Sequence, residues 1–251
     1  MRKYATLFAL AICLSLCTVA AQDSAKNEGE IADGREVLKK ADAAAKALKA
    51  VQYKAAVKGL GADEARQPKV EGKVVMSGWA SSAPQKFRYD VKVQRSGSSD
   101  NEEYSAGSDG NMVFLVDPSK KIAYEDIDPA VLGSNARVVS SVAVRKLLNP
   151  DAFADEIKAE KIELKGTATI GDQDCYEVHV DYGKESGQGV WFFSKKDFLP
   201  RRVDRMFPSR SGEMGGRQTI LTDLVIDPKL EPEPFKLALP AGFTKTDDFA
   251  P

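Results

Sequence analysis

The chain has one histidine, His179, and three cysteines, and this poverty limits its chemistry before any pattern is read. A lone histidine cannot build a histidine-rich metal site, and no Cys/His spacing supplies one. Cys13 and Cys17 fall in an N-terminal apolar run. That leaves Cys175, which has no partner for an internal disulfide, no C-x-x-C neighbour and no adjacent histidine, so it reads as inert. No glycine-rich phosphate loop, G-x-S-x-G elbow or H-E-x-x-H helix occurs. Glu102-Glu103 and Glu125-Asp126, with Asp128 beyond, read as solvated charge at turns rather than a catalytic carboxylate pair. The sequence therefore carries no catalytic constellation, metal set or cofactor motif. The net charge of -1 provides no concentrated basic patch and excludes a nucleic-acid partner. No run after residue 21 is long and apolar enough to span a bilayer. With 251 residues, 43% of them hydrophobic, the fold must hold by core burial alone.

Residues 1–21 read as a secretion signal: Arg2 and Lys3, an apolar stretch from Leu7 to Val19, then small residues at Val19-Ala20-Ala21. A lipid-anchored form competes, because Leu14-Ser15-Leu16-Cys17 partly matches a lipobox, although Leu16 stands where a small residue is wanted before Cys17. Residues 22–34 are polar and aperiodic, a tether. The folded domain is expected over 35–251. It opens with a helix in which Val37, Leu38, Ala41, Ala45 and Leu48 form one stripe at helical spacing.

Beyond this helix most of the chain alternates with period two, the mark of antiparallel strands with one wet face. Strands are expected over Tyr53–Leu60 and Val70–Trp79. Phe87, Tyr89, Val91 and Val93 then alternate with Lys86, Arg88, Asp90, Lys92 and Gln94. After a polar break, Asp109-Gly110 marks a hairpin and Asp117-Pro118-Ser119-Lys120 a second turn. Val138 to Leu148 changes to a helical pattern, and Asn149-Pro150 looks like the cap of another short helix. Tyr176, Val178, Val180 and Tyr182 alternate again, and Val190 to Ser194, with Trp191, Phe192 and Phe193, reads as a strand buried on both faces. About ten strands result: an α+β domain built on a single antiparallel, incompletely closed barrel. Its concave face is either a pocket or a core plugged by helices.

The stretch from Ala83 to Glu125 resembles the periplasmic lipoprotein-carrier family, the LolA/LolB-like half-barrels. Pro84, Phe87, Tyr89, Ser108, Asp109, Gly110, Phe114, Asp117 and Pro118 fall in the family's order and near its spacing. Pro234-Phe235 through Pro240-Ala241-Gly242-Phe243 resembles its terminal motif. Cys175 to Val178 with Trp191-Phe192 resembles its poorly characterised outer-membrane lipoprotein-sorting branch. The resemblance implies helices lying across the concave face as a lid over an apolar cavity. It implies a carrier or chaperone that binds acyl chains of lipoproteins or another lipid, with no catalysis. Membrane-bound donor and acceptor proteins are the implied partners, the periplasm the implied compartment, and a monomer the implied state. The second reading is an envelope sensor module that uses the same half-barrel to bind a protein or lipid. Phe87 matches the family's cavity-mouth phenylalanine. Tyr89 and Val91 share its strand face, and Trp79, Phe114, Tyr124 and Trp191 complete the expected lining. The family's lid-latching arginine is Ala83 here, so a lid held by apolar contacts alone is expected.

Overall fold

A computed structural model describes residues 31–78, 85–128, 133, 135–209, 212–230 and 234–248. The expected signal, most of the expected tether, Trp79 and Ala83 lie outside them. Helix α1 spans Gly34–Ala47, one residue earlier than the stripe suggests. Asp33 caps it by accepting the Arg35 N–H at 2.9 Å. Ile31, just before the cap, is already buried in the core.

The strands run β1 Ala50–Gly61, β2 Lys69–Ser77, β3 Lys86–Gln94, β4 Asn101–Ser108, β5 Val113–Asp117, β6 Ile122–Asp126, β7 Lys161–Ile170, β8 Gln173–Asp181, β9 Gln188–Ser194, β10 Pro200–Pro208, β11 Met214–Ile226 and β12 Thr244–Thr246. They form one sheet in the order β12-β6-β5-β4-β3-β2-β1-β11-β10-β9-β8-β7. The two ends do not meet, so the sheet is an open half-barrel. Every described pairing is antiparallel except β12 with β6. Twelve strands replace the expected ten. The two misjudged places are the short parallel β12 and the polar β4. Glu102 and Glu103 lie within β4, not at turns: Glu102 holds Arg95 at 2.8 Å and accepts the Tyr104 hydroxyl at 2.7 Å, and Glu103 pairs with Lys92 at 3.2 Å. The Lys92–Glu103 cross-strand ion pair lets the charged outer face stay in register. Glu125 likewise sits in β6, paired with Lys245 of β12.

Alternation places Tyr53, Ala55 and Val57 of β1, Tyr89, Val91 and Val93 of β3, Leu115 of β5, Tyr124 of β6, Val178 and Val180 of β8, Trp191 and Phe193 of β9 and Leu221 of β11 on one continuous core. α1 lies over the β7–β8 end of this inner face, and a chain of short turns covers the rest: α2 Ala136–Val139, 3₁₀ turns Ser140–Val142 and Arg145–Leu148, and α3 Ala154–Lys158. The expected single helix from Val138 onward is thus broken. Three β-branched valines, at 138, 139 and 142, and two serines propagate a helix poorly. Asn149-Pro150 forms a turn, in which Asn149 accepts the Asp151 N–H at 3.0 Å, and the helix starts at Ala154. Among the described residues, no helix is long and apolar enough to cross a membrane.

This covering segment is fastened by polar bonds as well as apolar contact, which corrects the expected lid. Tyr53, 1% exposed, donates its hydroxyl to the Val142 carbonyl at 3.2 Å and accepts the Val144 N–H at 2.9 Å. Asp42 of α1 accepts the Phe153 N–H at 3.1 Å. Arg35 donates to the carbonyls of Ile157 and Ala159, closing the C-terminal end of α3. A side chain in β1 and two in α1 therefore do from behind what a latch arginine would do from the β2–β3 loop. Burial pushes the Tyr53 phenol far above its ordinary pKa, so it stays a neutral donor. Tyr53→Phe leaves the buried Val144 N–H without a partner. It should cost about 1–3 kcal/mol in urea denaturation and speed hydrogen exchange at residues 139–147; unchanged exchange there would show that the hydroxyl does not fasten the segment.

Candidate functional site

Much of the concave face is filled. Val139, Val142, Leu147 and Phe153 from the covering segment are each at most 2% exposed and belong to the same core as the strand residues beneath them. What remains open is a groove of about 1130 Å³ between the 136–160 segment and the inner ends of β8–β11. Its apolar wall includes Ala143, Val144, Trp191 and Val203. A second hollow of about 490 Å³, with Val57, Val70, Val138 and Phe207 in its wall, shares Arg137 and Arg217 with the first.

The groove's edge is set by a hydrogen-bonded chain. Trp191 donates Nε1–H to the Tyr182 hydroxyl at 3.0 Å, which donates to Glu156 Oε1 at 2.9 Å. Lys146 donates to the other carboxylate oxygen at 2.8 Å. Glu156, 2% exposed, is a buried carboxylate whose two oxygens are both used, as burial of a charge requires. Burial, with the Glu156 charge beside it, raises the Tyr182 pKa well above its usual value. The chain ties a strand aromatic, a β8–β9 loop residue, α3 and the 145–148 turn into one unit. Trp191 is also stacked on Phe193 at 5.8 Å and meets Phe153 edge-on at 5.3 Å.

The expected lining residues are dispersed. Trp191 lies in the groove wall. Phe87 and Tyr89 stack at 4.7 Å on the inner face of β3 with Val91 beside them, but under the covering segment. Tyr124 also faces inward, 5% exposed. Phe114 packs on the other face of the sheet with Val116, Ala123, Leu237 and Phe243. There the C-terminal segment covers it, and the Arg88 guanidinium lies 5.9 Å from its ring centre. The groove's other residues, Tyr182, Glu156, Arg205 and Arg217 above all, were not picked out from the sequence. Tyr182 and Arg205 do continue inward-facing alternations that were visible there.

Cys175 is buried, and burial pushes its thiol up to about 11. His179 makes a 2.6 Å contact with Glu177 on the outer face of β8. Among the described residues, no group of three or more His, Cys, Asp and Glu side chains could hold a metal ion.

No protein-family model matches the chain, and no curated protein matches it. Solved structures do. LprF from Mycobacterium bovis aligns over 81% of this chain and 97% of its own, at 10% identity, with a TM-score of 0.51. The two proteins share one fold. LppX, a Mycobacterium tuberculosis lipoprotein, aligns over 77% of this chain and 95% of its own at 13% identity and a TM-score of 0.46. A LolA superfamily protein from Nitrosomonas europaea aligns over 82% and 99% at 12% identity and a TM-score of 0.34. At this identity the likeness to LprF is one of fold, an open half-barrel as expected from the alternating strands.

Glu156→Ala removes both acceptors at once, leaving the Tyr182 hydroxyl without its acceptor and Lys146 with only Asp155 at 3.7 Å. It should destabilise by roughly 2–3 kcal/mol, and Tyr182→Phe by about 1 kcal/mol. Denaturation followed by tryptophan fluorescence measures both. Equal, negligible effects would mean the chain does not hold the groove's edge.

Proposed function

We propose that this protein is a periplasmic carrier that binds the acyl chains of a lipoprotein or another lipid, and that it performs no catalysis. The observation that carries the reading is the groove of about 1130 Å³, enclosed between an inner sheet face and a covering segment made of short turns. Its size suits a small-molecule ligand. Short 3₁₀ turns contain few internal hydrogen bonds, so displacing them breaks chiefly the two Tyr53 bonds and the apolar contacts that hold them. Displacing 136–148 would extend the groove along Phe87, Tyr89, Val91 and Tyr124, the wall expected from the sequence. Phe114 would then act from behind, holding β5 against the C-terminal segment.

The energetics suit a carrier. Each buried methylene contributes about 0.8 kcal/mol, so a chain of about sixteen carbons supplies roughly 12 kcal/mol before ordering costs. Part of that gain is spent on separating the covering segment from the wall, which keeps net affinity low enough for release. In this reading residues 1–21 direct export, and a donor and an acceptor at the two membranes load and unload the protein.

A lipophilic dye whose emission rises in apolar surroundings should brighten on binding and be displaced by long-chain fatty acid or lipopeptide. Phe87→Glu should weaken that binding while the fold survives. Folded protein that shows no displaceable binding would refute the carrier reading. A melt that collapses in the variant would make Phe87 plain core.

A further inference from the structure

Strand register brings two arginines side by side on the inner face. Arg205 of β10 pairs directly with Arg217 of β11, and glycines flank them, Gly189 on β9 and Gly59 on β1. Both belong to the inward set, since Val203 and Thr219, two residues away on each strand, also face the groove. Like charges directly opposite one another across a ladder repel and destabilise it. An inner face that carries such a pair is arranged for a negative charge that the chain does not itself supply.

The surroundings support this. The Arg205 guanidinium lies 3.8 Å from the centre of the Tyr182 ring. Its Nη2 donates to the Ser186 carbonyl at 3.4 Å, and its Nη1 is buried with no hydrogen-bond partner. A Cβ at position 189 would stand 3.1 Å from that Nη1, so glycine keeps the place open. Arg217 and Arg145 have no carboxylate within ion-pair distance among the described residues, and both line the groove, Arg145 from the covering segment. Partial desolvation, then the Arg145 and Arg205 charges, lower the Arg217 pKa although its side chain is exposed to the groove. The acidic groups in the lining are placed elsewhere. Glu156 is taken by Lys146 and Tyr182, Asp155 stands 3.7 Å from Lys146, and Asp181 accepts the Gly183 N–H. Glu160 completes that acidic rim on the side of α3.

We propose that Arg205, Arg217 and Arg145 bind the anionic headgroup of an amphiphile, a phosphate, sulfate or carboxylate, while its acyl part lies along Trp191 and Val203. The inference rests on the acyl-carrier reading above and names its ligand class. Three guanidiniums offer planar, paired donors that match such oxyanions in a way ammonium groups do not. The cross-strand repulsion is neutralised on loading.

Dodecyl phosphate, glycerol monolaurate and inorganic phosphate, each below any micelle concentration, separate the possibilities when titrated against the dye-loaded protein. Dodecyl phosphate should bind at least about tenfold more tightly than the neutral ester of the same chain length, and that preference should fade as salt rises. Arg205→Gln/Arg217→Gln should lose the preference and keep its affinity for glycerol monolaurate. Should the double variant fail to fold, Arg217→Gln alone, whose side chain is exposed to the groove, should halve the preference or more. Equal binding of the two amphiphiles by the parent overturns the headgroup site and leaves the acyl reading intact. Competition by inorganic phosphate as strong as by dodecyl phosphate would identify a free-anion site and overturn the amphiphile. If neither amphiphile displaces the dye, the carrier reading itself fails, and the headgroup inference with it.

Discussion

A twelve-stranded open sheet has a wide apolar inner face, and something must cover it. Among the described residues, the cover is one four-turn helix and a string of short turns. α1 settles the β7–β8 end with a clean apolar stripe. The centre is left to residues 136–158, which bury valines, Leu147 and Phe153 but build little regular structure of their own. Such a segment needs anchors from outside itself. Tyr53, Asp42 and Arg35 provide them, and the Glu156–Lys146–Tyr182 cluster fixes its far edge. Cover and anchors together leave the groove beside β8–β11 rather than over β3, where the strongest alternating strand lies.

The half-barrel was legible in the residues because long half-buried strands declare themselves. β3 and β8 alternate over their whole length, and α1 shows its stripe. The short strands were harder to read. All five residues of β5, Val113–Asp117, are buried because the C-terminal segment packs on the outer face, so no alternation distinguishes Phe114 from Leu115. β4 looked like a polar break because its outward residues are Asn101, Glu103, Ser105 and Gly107, while its inward face adds Glu102 and Ser108 to Tyr104 and Ala106. Tyr53 reads in the sequence as any strand aromatic, and its two bonds to the covering segment depend on residues about ninety positions away. Arg205 and Arg217 stand twelve residues apart in the chain, on either side of a hairpin. Only the β10–β11 register makes them neighbours.

The groove thus combines two opposed features. A short apolar wall of Ala143, Val144, Trp191 and Val203 stands beside the guanidiniums of Arg145, Arg205 and Arg217, of which only Arg205 is half-buried, where unpaired charge is costly. The Arg205–Tyr182 contact recovers part of that cost by cation–π attraction. It does nothing for Arg217. In the reading proposed above, the Arg205–Arg217 pair would be neutralised by a ligand that is both oily and anionic.

Mass spectrometry of lipid extracted from the protein, purified natively without detergent exchange, tests this account most directly. The account predicts about one acylated, negatively charged lipid per protein molecule, depleted when Arg205 and Arg217 are both replaced by Gln. Protein that arrives free of lipid, or that carries only neutral lipid regardless of those arginines, would contradict it.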